Sequence, residues 1–238
     1  MTHNTTAMRR NILLFHIFLV CRDPLFWAPI LISYVHHVGH MEFAAIYVME
    51  AIVVLGLVFL EIPTGALADL IGMKKTIVIG YSLSIIGLIF FLCMYNPFTV
   101  WMSNIVWSVG AVLISSADTS LLFESMKKIK EESHFKKVMG KAFSGHLLVT
   151  AIGSFASGFL YKINPRLPIA LSLPVMVVAL IATIGMKEPN GRGTYVIKDQ
   201  LRLIKDSVTF VWKSDKLVWA IAFMMLISGV SKVWFFYV

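Results

Sequence analysis

Seven long apolar segments organise this chain, at roughly 11–36, 43–64, 75–95, 98–123, 142–162, 167–186 and 217–238. A helix needs about 20 apolar residues to cross a hydrocarbon core. With no water in that core, a spanning segment must satisfy its own backbone, so α-helix is the expected element throughout. The composition agrees. Only 14% of the 238 residues are charged, against about 25% in a soluble domain. The fold class predicted is all-α: a polytopic membrane protein of about seven transmembrane helices. The polar stretches lie at junctions and leave no room for a soluble domain.

The basic residues fall almost wholly on one side of such a bundle. One set of connections carries Arg9, Arg10, Lys74, Lys75, Lys127, Lys128, Lys130, Lys136, Lys137, Lys141, Lys187, Arg192, Lys198, Arg202, Lys205, Lys213 and Lys216. The other set carries Lys162 and Arg166. Cytoplasmic loops hold the excess of Lys and Arg, so a cytoplasmic N-terminus in a cell membrane is expected. The same placement accounts for the net charge of +8 through anionic headgroups, with no nucleic acid involved. The apolar character resumes after Arg22-Asp23-Pro24 with no small-residue cleavage site, so the first segment reads as a retained helix. Cys21 and Cys93 lie inside apolar segments and read as buried free thiols.

Between 187 and 216, Pro189, Gly191 and Gly193 break the sixth helix. Ile197, Leu201, Ile204, Val208 and Val211 then recur at three- and four-residue steps among charges, which predicts an amphipathic cytoplasmic linker. Three parts follow: a six-helix bundle over 1–186, the linker over 187–216, and a seventh helix over 217–238.

The junction Glu61-Ile62-Pro63-Thr64-Gly65-Ala66-Leu67-Ala68-Asp69-Leu70-Ile71-Gly72-Met73-Lys74-Lys75 is dense in special residues. Pro63 and Gly65 are expected to end the second helix, and Gly72 to allow a tight reversal. Asp69 is a candidate cap for a helix N-terminus, and the two lysines open the third helix. Gly65 to Asp69, with Gly72, Lys74 and Lys75, resembles the loop signature of the major facilitator superfamily. That pattern reads Gly-x-Leu-Ala-Asp-Arg-x-Gly-Arg-Lys. Ser116 to Ser125 is similar to the fourth-helix pattern of its drug-efflux-like members. Leu70 and Met73 stand where the family carries basic residues. Gly145, Ser154 and Gly158 fall at the spacing of the antiporter glycine signature, but Ser154 replaces a glycine and Phe159 a proline. Close helix packing is the preferred reading of Gly153, Ser157 and their neighbours.

The resemblance implies a transporter built from two six-helix halves, with helices 1, 4 and 7 lining a central cavity. It also implies a cytoplasmic gate at the 65–75 loop, to which Glu61, Gly65, Asp69, Gly72, Lys74 and Glu124 are assigned. The chain ends on Trp234-Phe235-Phe236-Tyr237-Val238 without a polar tail, so a fragment of a longer transporter is expected.

Ionisable residues deep in a membrane are costly and call for a reason. Arg22 and Asp23 fall midway through the first segment, where Pro24 is expected to kink one continuous helix. His16, Asp23, Trp27 and Tyr34 are spaced along one face; Asn104, Trp107, Ser115 and Asp118 share a stripe on the fourth helix. Arg22, Asp23, Trp27, Tyr34, Asn104, Trp107, Ser115 and Asp118 are the candidate substrate and ion cavity. Arg22 and Asp118 differ in depth by roughly 6 Å at 1.5 Å per residue, and are predicted to pair. Asp23 then remains for substrate or a coupling proton. Glu50 has no assigned role.

The function expected is secondary transport of a small amphiphilic solute, with proton-coupled drug efflux as the sharpest form. Uptake of a polar metabolite is an alternative, as is a non-transporting accessory chain. A seven-helix retinal photoreceptor with Lys232 as its Schiff base is remote, because its orientation is opposite and Ser228 stands where an Asp is usual. No phosphate-binding glycine loop, metal-ligand spacing or nucleophile triad occurs, so neither enzyme activity, cofactor nor metal is expected.

Overall fold

Apolar runs become helices as the missing solvent demands. The computed structural model describes residues 2–189 together with Ser214, Val218, Trp219 and Phe223. Its elements are α1 (Thr2–Val20), a 3-10 turn (Ala28–Ile30), α2 (Leu31–Gly39), α3 (Phe43–Ile71), α4 (Met73–Leu92), α5 (Pro97–Ser115), α6 (Asp118–Lys128), a 3-10 turn (Glu132–His134), α7 (Phe135–Ile163) and α8 (Leu167–Gly185). Among the described residues, five stretches are long and apolar enough to cross a membrane: Phe43–Glu61, Met73–Leu92, Pro97–Lys128, Glu132–Ile163 and Leu167–Gly185. Met1–Gly193 is one compact unit and Thr194–Val238 a second. The amphipathic linker, Lys232 and most of the seventh segment lie outside the described residues.

The first segment is not the single kinked helix expected. α1 stops at Val20 and α2 starts at Leu31. Pro24 has no N–H to donate, and its ring disfavours helical backbone at the residue before it. The freed backbone groups find partners on neighbouring helices, as a break at membrane depth requires. Tyr81 Oη donates to Arg22 O at 3.1 Å, and Phe26 N donates to Ser172 Oγ at 3.3 Å. The break also cancels the shared face read for His16, Asp23, Trp27 and Tyr34.

The second segment departs in the opposite sense. α3 runs through Pro63 and Gly65 to Ile71. Thr64 Oγ1 back-bonds to Leu60 O at 2.9 Å and Glu61 O at 3.0 Å, which shows how side chains support a proline-containing membrane helix. The reversal comes at Gly72, with φ of +101°, a backbone setting that glycine adopts without a Cβ penalty. The fourth segment divides at Ser116–Ala117 into α5 and α6, so its expected stripe is also interrupted. α7 begins at Phe135 rather than near 142.

α4 packs against α5 and α8, and α1 against α6, α7 and α8. Phe15, Phe18, Tyr34, Tyr81, Leu88, Phe91 and Met176 are buried where these helices meet. α3 and α7 keep apolar residues on the outside, among them Leu55, Phe59, Leu148, Ile152 and Phe155. Lipid-facing positions need no polar cover. Both cysteines are free, but neither is fully buried; Cys93 is exposed where α4 ends.

Candidate functional site

The α1–α2 break presents Arg22 and Asp23 to three other helices. Arg22 Nη1 donates to Asp118 Oδ2 at 2.8 Å. Asp118 is the first residue of α6, so the second helix break delivers the carboxylate to the first. Its other oxygen accepts from the backbone N–H and the hydroxyl of Thr119. The Asp118 side chain is 3% exposed and the Arg22 side chain 29%. The predicted pairing is present, and both partners sit at interruptions rather than on continuous helices.

Asp23 turns elsewhere. Its Oδ2 lies 3.5 Å from His146 Nε2 on α7. Sequence reading named Gly145 and passed over His146. The signal was available: within 142–162, His146 is the one ionisable side chain away from the Tyr161-Lys162 end. α7 reaches Asp23 because Gly153 lies against the break. A Cβ on Gly153 would sit 2.5 Å from Leu25 O.

Aromatic rings flank the same break. Trp27 and Trp107 have centroids 4.6 Å apart, and Trp27 meets Phe91 at 5.5 Å. One turn from Trp107, Asn104 Nδ2 donates to Glu50 Oε1 at 2.6 Å, and Ser108 Oγ donates to Asn104 Oδ1 at 3.1 Å. Glu50 therefore has a partner on α5 that sequence left unassigned. Tyr34 is wholly buried, with its hydroxyl donating to Phe91 O at 2.9 Å; it is packed into the core and does not line an opening. Ser115 is exposed and back-bonded to Val112 O. His16 Nδ1 is held 2.8 Å from Ile12 O on its own helix.

The α3–α4 turn forms a second cluster. Gly65 and Asp69 are helical residues of α3 rather than loop residues. The cap expected from Asp69 is made by Glu188. Its Oε1 and Oε2 accept from the N–H groups of Met73 and Lys74 at 3.2 and 2.9 Å. The segment before Glu188 is anchored as well. Asn11 Nδ2 donates to Lys187 O at 2.7 Å, and Lys187 N donates back to Asn11 Oδ1 at 2.8 Å. Glu124 lies 3.6 Å from Lys127 on its own helix, and Glu61 is exposed. Glu188→Ala leaves two orphan donors at the α4 N-terminus, where a cap contributes about 0.5–2 kcal/mol. A lower melting temperature in detergent is expected, with Glu188→Gln between the two. Equal melting of Glu188→Ala and the parent would remove the cap from the account.

These features converge on a bundle interrupted twice at one ion pair, with a signature turn at its end. Residues 12–238 match the sequence model of the Major Facilitator Superfamily. The chain belongs to the major facilitator superfamily. It is also 30% identical over 203 residues to the "Uncharacterized MFS-type transporter YxaM" of Bacillus subtilis (strain 168), covering 81% of this chain and 48% of that protein. The chain thus spans about half the length of this curated relative. The superfamily is one of membrane transporters, which supports the all-α polytopic reading and turns the assignment away from enzymes and retinal receptors.

Proposed function

We propose that this chain forms half of the pathway of a secondary transporter for a small amphiphilic solute, with Arg22, Asp23 and Asp118 at its polar centre and Trp27 and Trp107 beside it. The α1–α2 break carries the reading. Irregular backbone at membrane depth is tolerated where it is buried in protein or lines a cavity, and interrupted helices mark binding sites in transporter folds. Asp118 is neutralised by Arg22, while the Asp23 side chain, with one oxygen beside His146, remains 50% exposed and open to a solute. Paired tryptophans next to a carboxylate suit a cation with an apolar body. Proton-driven efflux across the cell membrane is the form of transport we favour.

Two measurements bear on this reading. Tetraphenylphosphonium flux is followed in vesicles holding the full-length gene product under an imposed pH gradient. The parent is expected to move the cation and Asp23→Asn to lose at least tenfold in rate. Flux that survives Asp23→Asn unchanged would take the carboxylate out of the pathway. Orientation is checked separately. A cysteine at Lys198, in a background without Cys21 and Cys93, is expected to resist impermeant maleimide added to intact cells. Ready labelling there reverses the topology.

A further inference from the structure

We propose that the α6–α7 connection and the first turns of α7 form a binding site for the headgroup of an anionic phospholipid, with an acyl chain lying along the outer face of α7. Such a site stands apart from the transport reading, and neither the solute nor its driving force enters it.

Residues 124–141 hold Lys127, Lys128, Lys130, Lys136, Lys137 and Lys141 against Glu124, Glu131 and Glu132. All six lysines are exposed. Two of the three carboxylates are engaged already, Glu124 with Lys127 at 3.6 Å and Glu131 with Arg9 at 3.3 Å. Among the described residues, no carboxylate pairs with Lys128, Lys130, Lys136, Lys137 or Lys141. Helix stability accounts for Lys127 and Lys128, which sit in the last turn of α6, where the dipole favours cations. It does not account for Lys136 and Lys137. They lie in the first turn of α7, where cations oppose the dipole and no acidic residue offsets them.

Backbone preference does not account for Lys130 either. Glu131 N donates to Met126 O at 3.0 Å and Lys130 N to Lys127 O at 3.1 Å, which closes α6 in a Schellman turn. The left-handed corner of that turn, at φ +60°, suits glycine, and a side chain there costs free energy. Lys130 thus keeps a cation where the turn alone would take none.

The surface below the lysines fits a lipid rather than a soluble anion. Phe123 and Phe135 meet edge to face at 5.5 Å where α6 and α7 come together. Steps of three, four and seven residues place Lys137, Lys141, Ser144, Leu148 and Phe155 on one face of α7, and all five are exposed. Gly140 leaves that face open, since a Cβ there meets none of the described residues within 4 Å. Leu148 lies roughly 10 Å and Phe155 roughly 20 Å along the helix from Lys141, and one leaflet supplies about 15 Å of hydrocarbon. Two cations one turn apart, followed by an apolar face through the depth of a leaflet, match a phosphate that carries an acyl chain. Clusters of basic residues at the end of a membrane helix attract anionic headgroups. Lysines placed only to orient the chain would need no such face beneath them.

Native mass spectrometry of the full-length gene product counts the bound lipid, from micelles holding equal amounts of phosphatidylglycerol and phosphatidylcholine. Phosphatidylglycerol is expected to be preferred at least tenfold. Each lysine near the headgroups contributes about fivefold to such attraction, so Lys136→Gln/Lys137→Gln/Lys141→Gln is expected to abolish the preference. Lys130→Gly removes one charge and relieves the corner. It should weaken the preference about fivefold, yet melt no lower than the parent in phosphatidylcholine alone. Lys162→Gln removes one exposed charge at the other end of α7 and should change the preference less than twofold. A preference that survives the triple change, or falls as far with Lys162→Gln as with Lys130→Gly, overturns the site. Displacement of the lipid by an equal concentration of glycerol phosphate assigns the lysines to a soluble anion and overturns it too. So does a parent without any preference, the result expected if the second half of the transporter covers this face. None of these readings involves transport, so a failed flux assay and a failed lipid site remain distinct results.

Discussion

Arg22→Gln is expected to cost about 3–5 kcal/mol, the range for breaking a buried ion pair, and Asp118→Asn somewhat less. The asymmetry follows from exposure. Without Arg22, a carboxylate that is 3% exposed keeps only its two bonds from Thr119. Without Asp118, a guanidinium that is 29% exposed keeps a route toward water along its long stem. The double variant carries neither orphan charge and should recover at least about 1 kcal/mol of the summed loss, as contacting residues do. Unfolding in detergent measures the cycle. Strict additivity, or a milder loss from Arg22→Gln than from Asp118→Asn, contradicts this account.

Gly153→Leu is expected to be the most damaging of the small-to-large changes on α7. The obstacle is Leu25 O, a backbone atom 2.5 Å from the position of a new Cβ, with Leu25 Cβ at 3.1 Å. Overpacking usually costs about 1–3 kcal/mol, and a backbone neighbour cannot rotate away, which places this site at the upper end. Gly158 is the control. A Cβ there meets none of the described residues within 4 Å, so Gly158→Leu should melt within a degree or two of the parent. The damage at Gly153 should reach further than stability, because pushing α7 off the break parts His146 from Asp23. Equal melting of the two variants would mean that α7 does not dock through Gly153. The same contrast bears on the antiporter spacing: Gly153 makes the close approach, whereas a Cβ on Gly158, part of the signature, meets none of the described residues within 4 Å.

Five spans, from the second segment to the sixth, were legible because hydrocarbon imposes a one-dimensional rule: apolar length reads directly as helix. The Arg22–Asp118 pair was legible for the same reason, since a charge in such a run calls for another. Local breakers were misread in both directions. Pro24 stops a helix and Pro63 does not, and the difference lies in partners outside the local sequence window. Tyr81 and Ser172 serve the first break, while Thr64 supports the helix around the second. Glu188 was invisible as the α4 cap because it lies 114 residues from Lys74 in sequence. Asp69, three residues before Gly72, looked the better candidate on proximity alone. His146 was missed although the rule that found Arg22 and Asp23 applied to it equally; the glycines around it drew the reading to packing.

The reciprocal bonds between Asn11 and Lys187 set a clock on synthesis. Asn11 is fully buried in the finished unit, and its main-chain partner lies 176 residues downstream. Chains are made at about 5–20 residues per second, so the amide waits roughly 9–35 s for its partner to be translated, and longer for it to leave the ribosome. Through that interval Asn11 Nδ2 can meet Ser125 Oγ, at 3.0 Å, once α6 is made, while its Oδ1 still waits for the Lys187 N–H. The last piece to arrive, Met186-Lys187-Glu188, then closes α1 and the α3–α4 turn in one step. A nascent chain stalled before residue 187 would hold every helix of the unit and still lack its latch.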